Sequence, residues 1–300
     1  MTENTAPEAT MTTTEITAPG ANPLKKFFRQ PKLYITLPSK GKWYPQGSLE
    51  PTENMELPVY AMTAKDELTL KTPDALINGQ ATVDIIQSCM PNIINAWVMP
   101  SIDVDAALIA IRIATYGDTM DLSTKAPNTD LERTYQLDLR QLLESMGNAE
   151  FGDQVTTSQG ITVTIRPVTY KEFTASALQA FEEERLFRIV NDAEMTQETK
   201  LEKFGETFGK IRDLTLGLIT ESIVSISVGE DVVTNRLHIK EFIENADKST
   251  FKEVTDHIEK QKSEFAVKPL KVDADEEQLK AGAPKTFDVP IIFDQAHFFA

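Results

Sequence analysis

Cysteine is almost missing from this chain of 300 residues: Cys89 stands alone. An intrachain disulfide and a thiolate metal cluster are excluded by count. Ile85, Ile86 and Met90 surround Cys89 in sequence, which marks it as a small buried hydrophobe. Histidine is scarce too. His238, His257 and His297 make up the set, and no two have metal-ligand spacing. Long apolar runs are also lacking. Ala106 to Ala114 comes nearest, is broken by Arg112, and falls far short of the ~20 residues that span a bilayer. The first residues show no basic stretch leading into an apolar one, so no secretory signal is expected and synthesis is placed in the cytosol. Neither G-x-G-x-x-G nor G-x-x-x-x-G-K-[ST] occurs, which removes the usual phosphate cradles. Basic charge is short: 30 Lys and Arg against 46 Asp and Glu give a net charge of −16. A general nucleic-acid binder needs a basic face, so that class is disfavoured.

One local exception stands against this acidic background. Lys25, Lys26, Arg29, Lys32, Lys40 and Lys42 lie between Leu24 and Tyr44 with no acid among them. Charge acts locally, because salt screens it over about 8 Å. This segment keeps a nucleic-acid reading open as an alternative. Acidic faces of this chain or of a partner would serve those cations equally well.

The chain divides by texture. Residues 1–23 are Thr, Ala, Pro and Glu rich, and read as a disordered tail. Residues 24–168 read as an α+β domain. Leu33 to Leu37 and Leu57 to Met62 alternate as strands. Thr63-Ala-Lys-Asp66 is a capping box, Thr72-Pro73 is a second helix start, and Gly79 is a helix stop. Val83, Ile86 and Met90 recur at helical spacing up to Pro91. Asp103 opens a helix that Gly117 ends. Arg112 within it is expected to snorkel or to meet a carboxylate. Tyr135 to Leu139 reads as a strand, Leu142 to Met146 as a short helix, and Val155 to Val168 as a hairpin around Ser158-Gln159-Gly160. Residues 169–264 read as helical. Phe173 to Ile189 forms a first helix. Leu201, Phe204, Phe208, Ile211, Leu214 and Leu218 mark a second that runs on toward Val224. Ile239 to Ile243 follows, then a helix capped by Ser249 and Thr250. Residues 265–300 hold an acidic loop at Asp273 to Glu277 and a strand from Phe287 to Phe293. Pro290 makes that strand an edge. The fold class is α+β: strands in the first half, helices in the second, and a final edge strand.

No spacing of Asp, Glu or His nominates a catalytic pair, and Glu182 to Glu184 reads as a solvated face. No catalytic, metal or cofactor residue is assigned, and no small-molecule substrate. The candidates are contact residues. Trp43 and Tyr44 lie in a loop bounded by Pro38 and Pro45, where aromatics either plug a core edge or anchor a partner. Ser39 to Lys42 could hold an anion on backbone donors or be a solvated turn. Phe287, Ile291, Phe293, Phe298 and Phe299 make the carboxyl-terminal tail a docking candidate. Burying Phe298 and Phe299 is worth roughly 1.5–3 kcal/mol each. Ordering five or so residues costs about 1–2 kcal/mol apiece. The aromatics alone therefore do not hold the tail, and the strand before them must pair with its own sheet or with another chain.

Three stretches occur in a fixed order: LPSKGKWYP at Leu37 to Pro45, PVYAMTAKDELTLKTPDALINGQATVDIIQSC at Pro58 to Cys89, and DVDAALIAIRIATYG at Asp103 to Gly117. Together with the terminal FDQAHFF, they resemble the baseplate hub subunit family of T-even-type contractile-tailed bacteriophages. The resemblance is best over Leu33 to Gly117. Many members carry a Cys-x-x-Cys pair ahead of the final strand. Here that region reads FAVKPLKVDADEEQLKAGA, so no zinc knuckle is implied. The resemblance implies a structural or assembly protein of the tail baseplate that is not an enzyme. Its partners are other baseplate or tail proteins, with no membrane. It is made in the host cytoplasm and carried in the virion tail. A transient tail-assembly chaperone, absent from the mature virion, is the alternative within the same system.

Overall fold

The computed structural model describes residues 22–71, 79–177, 196–291 and 298–299, with Phe181 and Glu184. The tail at 1–21, the helix start at Thr72-Pro73, most of the expected helix beyond 177, and Phe293 lie outside the described residues. Met1–Gln30 and Pro31–Ala300 are separate units. In the first, Pro23–Phe27 forms a 3-10 turn. The Asn22 side chain caps it by accepting the Leu24 N–H. Leu24, Phe27 and Phe28 are exposed there.

The second unit is α+β. Strands β1 (Pro31–Thr36) and β2 (Glu56–Tyr60) pair antiparallel. Helices α1 (Ala64–Leu70), α2 (Gln80–Cys89) and α3 (Ser101–Tyr116) follow. The capping box forms as the sequence predicts, between Thr63 and Asp66. Gly79 caps the start of α2, and the helix it was expected to end lies outside the described residues. The φ of Gly79 is +77°, and a Cβ would lie 3.0 Å from Thr174 Cγ2 and 3.1 Å from the Tyr170 hydroxyl, so any other residue there is strained and crowded. In α3, Ile109, Ala110 and Ile111 are fully covered, and Gly117 ends the helix at φ +99°. Cys89 is buried in the same core. A ribbon of β3 (Thr119–Lys125) and β4 (Glu132–Asp138) then leads into α4 (Leu139–Gly147).

A four-stranded antiparallel sheet spans the expected boundary at 168/169. Its strands β5 (Gln154–Thr156), β6 (Ile161–Ile165), β7 (Ile223–Val228) and β8 (Asp231–Val233) pair in sequence order. The long helix α5 (Gln197–Ser222) was expected to run on toward Ile223 and Val224, but those two residues open β7. The run IVSISV has four β-branched residues in six, Ile223, Val224, Ile226 and Val228, and that suits a strand better than a helix. Val163 and Ile165 on β6 share one core with Ile223 and Ile226 on β7, and with Ile239, Ile243, Val254 and Ile258 on α6 (Arg236–Asn245) and α7 (Lys248–Phe265). The cap of α7 is Asp247, ahead of the expected Ser249 and Thr250, whose N–H groups it accepts at 2.8 and 3.0 Å.

The last segment is more ordered than a loop and an edge. β9 (Leu270–Asp273) pairs with β10 (Thr286–Val289). Between them, Asp275 and Gln278 form a capping box for α8 (Glu276–Ala281). Of the expected acidic loop, Asp275 and Glu277 pair with Arg133 on β4. The final strand stops at Val289 because Pro290 has no N–H to extend the ladder.

Candidate functional site

The expected contact residues fall in two places. The first is the LPSKGKWYP loop. Its turns close through Lys40 N–H to Leu37 O at 2.8 Å and Lys42 N–H to Ser39 O at 3.0 Å. Lys40, Gly41 and Trp43 all have positive φ, at 53, 76 and 65°. A bulky residue such as Trp43 takes that conformation only where its surroundings over-determine it. Asp103, in the first turn of α3, is what fixes the loop. Its Oδ1 accepts the Ser39 N–H at 2.7 Å. Its Oδ2 accepts the Ser39 hydroxyl at 2.5 Å and the Tyr44 hydroxyl at 3.0 Å. The turn that could have held an external anion holds Asp103 instead.

Burial pushes the Asp103 carboxyl up to about 6, against the pull of the Ser39 and Tyr44 donors. Burial, and then the Asp103 charge beside it, pushes the Tyr44 phenol up, so it remains a donor. Asp103 and Ser39 are 0 and 2% exposed, which leaves no room for a substrate between them. The cluster is a lock on a loop. Trp43 extends that lock, its ring meeting Phe151 edge-on at 5.0 Å while Phe151 lies 5.9 Å from Phe265. Tyr44 packs half-buried on the main core, and Trp43 keeps part of its ring in solvent.

The second place is the carboxyl-terminal seat, and here the expectation needs correction. Phe298 and Phe299 do not face outward. They are 1 and 6% exposed and close the main core of their own chain. Their rings meet edge-on at 5.0 Å, and Tyr116 donates its hydroxyl to Phe299 O at 3.0 Å. Among the described residues, Arg112 forms no ion pair with a carboxylate. Its guanidinium lies 5.2 Å from the Tyr116 ring and 5.4 Å from the Phe298 ring. Its Nε and Nη1 have no hydrogen-bond partner among the described residues. Ring faces attract the cation and take the place of an acid. Phe287 is also covered by its own chain. It packs edge-on against Tyr135 at 6.1 Å, which in turn accepts from Gln278 Nε2 at 2.9 Å. Ile291 packs half-buried on the main core.

Sequence reasoning missed Asp103 and Asp105. The signal was present: two acids, two apart, inside an otherwise apolar helix. Such a pair is turned about 200° apart on a helix, so the two carboxylates serve different faces. Asp105 lines a cleft of about 640 Å³ between α3, the helical stretch 170–177, the end of α5 and the end of α7. Leu108, Leu218, Ile219 and Ile258 supply much of its wall. Burial pushes Asp105 up to about 6, and no hydrogen bond or ion pair to a described residue offsets it.

A comparison with known families decides the identity. The sequence matches the family described as T4 bacteriophage base plate protein over residues 30–278, well over half of the chain. The chain belongs to that family. As a T4-type baseplate protein it carries the locked loop, the cleft and the four-stranded sheet within the matched span. β10, Phe298 and Phe299 lie beyond it. No curated protein and no solved structure matches the chain. Among the described residues, no helix of this baseplate protein is long and apolar enough to cross a membrane.

Proposed function

We propose that this chain is a structural subunit of the baseplate hub, that it works through contacts with other tail proteins, and that it turns over no substrate. The baseplate family match over residues 30–278 carries the reading. The ordered motifs from LPSKGKWYP to DVDAALIAIRIATYG support the hub assignment. The chemistry of the best-formed polar cluster supports a non-catalytic role: Asp103, Ser39 and Tyr44 satisfy one another in a sealed space. Of the residues expected to meet partners, Trp43 keeps a partly exposed ring, and we assign it that role. Synthesis in the host cytoplasm and carriage in the virion tail follow from the same reading.

Mass spectrometry of purified particles tests the proposal. Peptides of this chain at stoichiometric levels, lost together with hub proteins when the baseplate is dissociated, are expected. Presence in assembly intermediates with absence from finished particles would favour a transient chaperone. Binding of DNA that weakens steeply with salt, and is lost on charge reversal of Lys25, Lys26 and Arg29, would favour the nucleic-acid alternative.

A further inference from the structure

The cleft beside α3 and the arm at Pro23–Phe27 have complementary chemistry. The cleft is apolar over most of its wall and carries one carboxylate, Asp105, that no described group pairs. Lys262, the other charged residue of the wall, is solvent-exposed and makes no ion pair with it. It sits in the last turn of α7, where a cation faces the helix carbonyls. A carboxylate half-buried among leucines and isoleucines calls for a cation brought by whatever fills the space. The arm offers that combination. Leu24, Phe27 and Phe28 are 60, 74 and 56% exposed, and Lys25, Lys26 and Arg29 interleave with them. Three large apolar side chains exposed within five residues mark a contact not yet made. A net charge of −16 opposes self-association, and this arm is where the chain reverses sign.

We propose that the Leu24–Arg29 arm of one copy of this chain docks in the Asp105 cleft of a second copy, its aromatic side chains filling the apolar wall and a lysine meeting Asp105. The cleft volume of about 640 Å³ lies in the range that takes a few large side chains. One arm is a small contact. Two copies that exchange arms about a two-fold axis make it twice and close the assembly as a dimer. The inference concerns self-association and stands apart from the place of the chain in the particle. Its failure leaves the particle composition unaffected.

Sedimentation velocity of the full chain over a range of concentrations tests it. A concentration-dependent shift from monomer to dimer is expected. Phe27→Ser with Phe28→Ser, changes in exposed side chains, should weaken the association at least tenfold. Lys25→Glu with Lys26→Glu in one chain, and Asp105→Lys in another, should each do the same. Mixing those two charge variants should restore the dimer, because each arm then finds an opposite charge. An unchanged thermal midpoint of the arm variants keeps folding out of the comparison. A monomer at every concentration overturns the proposal. So does a dimer that the arm variants leave intact, or a mixture of charge variants that does not re-form it.

Discussion

The guanidinium of Arg112 lies over the ring of Phe298, 5.4 Å from its centroid, and so joins the middle of α3 to the end of the chain. The contact has two sides. The phenylalanine pair closes the main core, and Arg112 has Nε and Nη1 without a hydrogen-bond partner among the described residues. Burial pushes the guanidinium down from its ordinary range.

Phe298→Ala should destabilise the chain by about 3–5 kcal/mol, the range for emptying a buried aromatic site. Phe298→Leu, which keeps most of the volume, should cost less than half of that. Urea titration of both variants checks the order. Equal and small losses would show that the tail does not occupy this seat in solution. The strand ahead of it accounts for why the tail can be held: β10 pairs with β9 along its length, and Phe287 is anchored on Tyr135. That pairing supplies the help that the entropy estimate required.

Arg112→Met isolates the other side. Methionine keeps the apolar stem and removes the charge. The ring contacts are worth roughly 0.5–2 kcal/mol, and each buried polar group left unmade costs about 1–3 kcal/mol. The expected outcome is unchanged stability or a gain of about 1 kcal/mol in chemical denaturation. A loss beyond 2 kcal/mol would mean that the cation is needed, and the reading of Arg112 as an orphan would be wrong.

Much of the framework was legible from local chemistry. The Thr63 box, the α3 stop at Gly117 and the hairpin at Ser158-Gln159-Gly160 follow from residue type alone, and the structure has all three. The misread places depend on distant partners. Residues 223–228 sit directly after 26 helical residues, and only pairing with β6 makes them a strand. The docking role of Phe298 and Phe299 was inferred from position at the end of the chain. Their burial depends on a seat on α3 that no local pattern encodes. Asp103 reads as a helix-starting acid, and its function as the lock of Ser39 and Tyr44 spans 64 residues.

Asp103 gives a pH prediction of definite sign. Its folded value is raised to about 6 from the ordinary 3.8, so the folded state holds its proton more tightly than the unfolded chain. Its contribution to stability is complete below 3.8 and is lost as pH rises through 6. A shift of this size corresponds to about 3 kcal/mol between the two limits. Asp105, raised to about 6 by burial, acts in the same direction. Asp103→Asn should flatten the fall between pH 4 and 6 and cost little at neutral pH, because both hydroxyls can turn to accept from the amide. Asp103→Ala should cost about 2–4 kcal/mol at neutral pH, since it strands the Ser39 and Tyr44 donors, and more at low pH, where the wild-type carboxyl contributes most. Equal losses in the two variants would show that the loop needs the charge itself.

The four-stranded sheet predicts where the chain cannot be cut. β6 pairs with β7 from Ile161↔Val228 to Ile165↔Ile223, and both strands bury side chains against α6 and α7. The 168/169 junction is pinned from the other side too. Ser101 N–H donates to Val168 O and Tyr170 N–H to Met99 O, each at 2.8 Å, while Arg166 reaches Glu172 at 2.9 Å. A chain ending at residue 168 would leave Val163 and Ile165 without their partner strand and expose an unpaired edge. It is expected to aggregate or to stay unfolded. In the full chain, amides of β6 and β7 should exchange with deuterium in one cooperative step, at a single free energy. Protection of β6 in the isolated fragment, at the level seen in the full chain, would show that the textural boundary is a physical one after all.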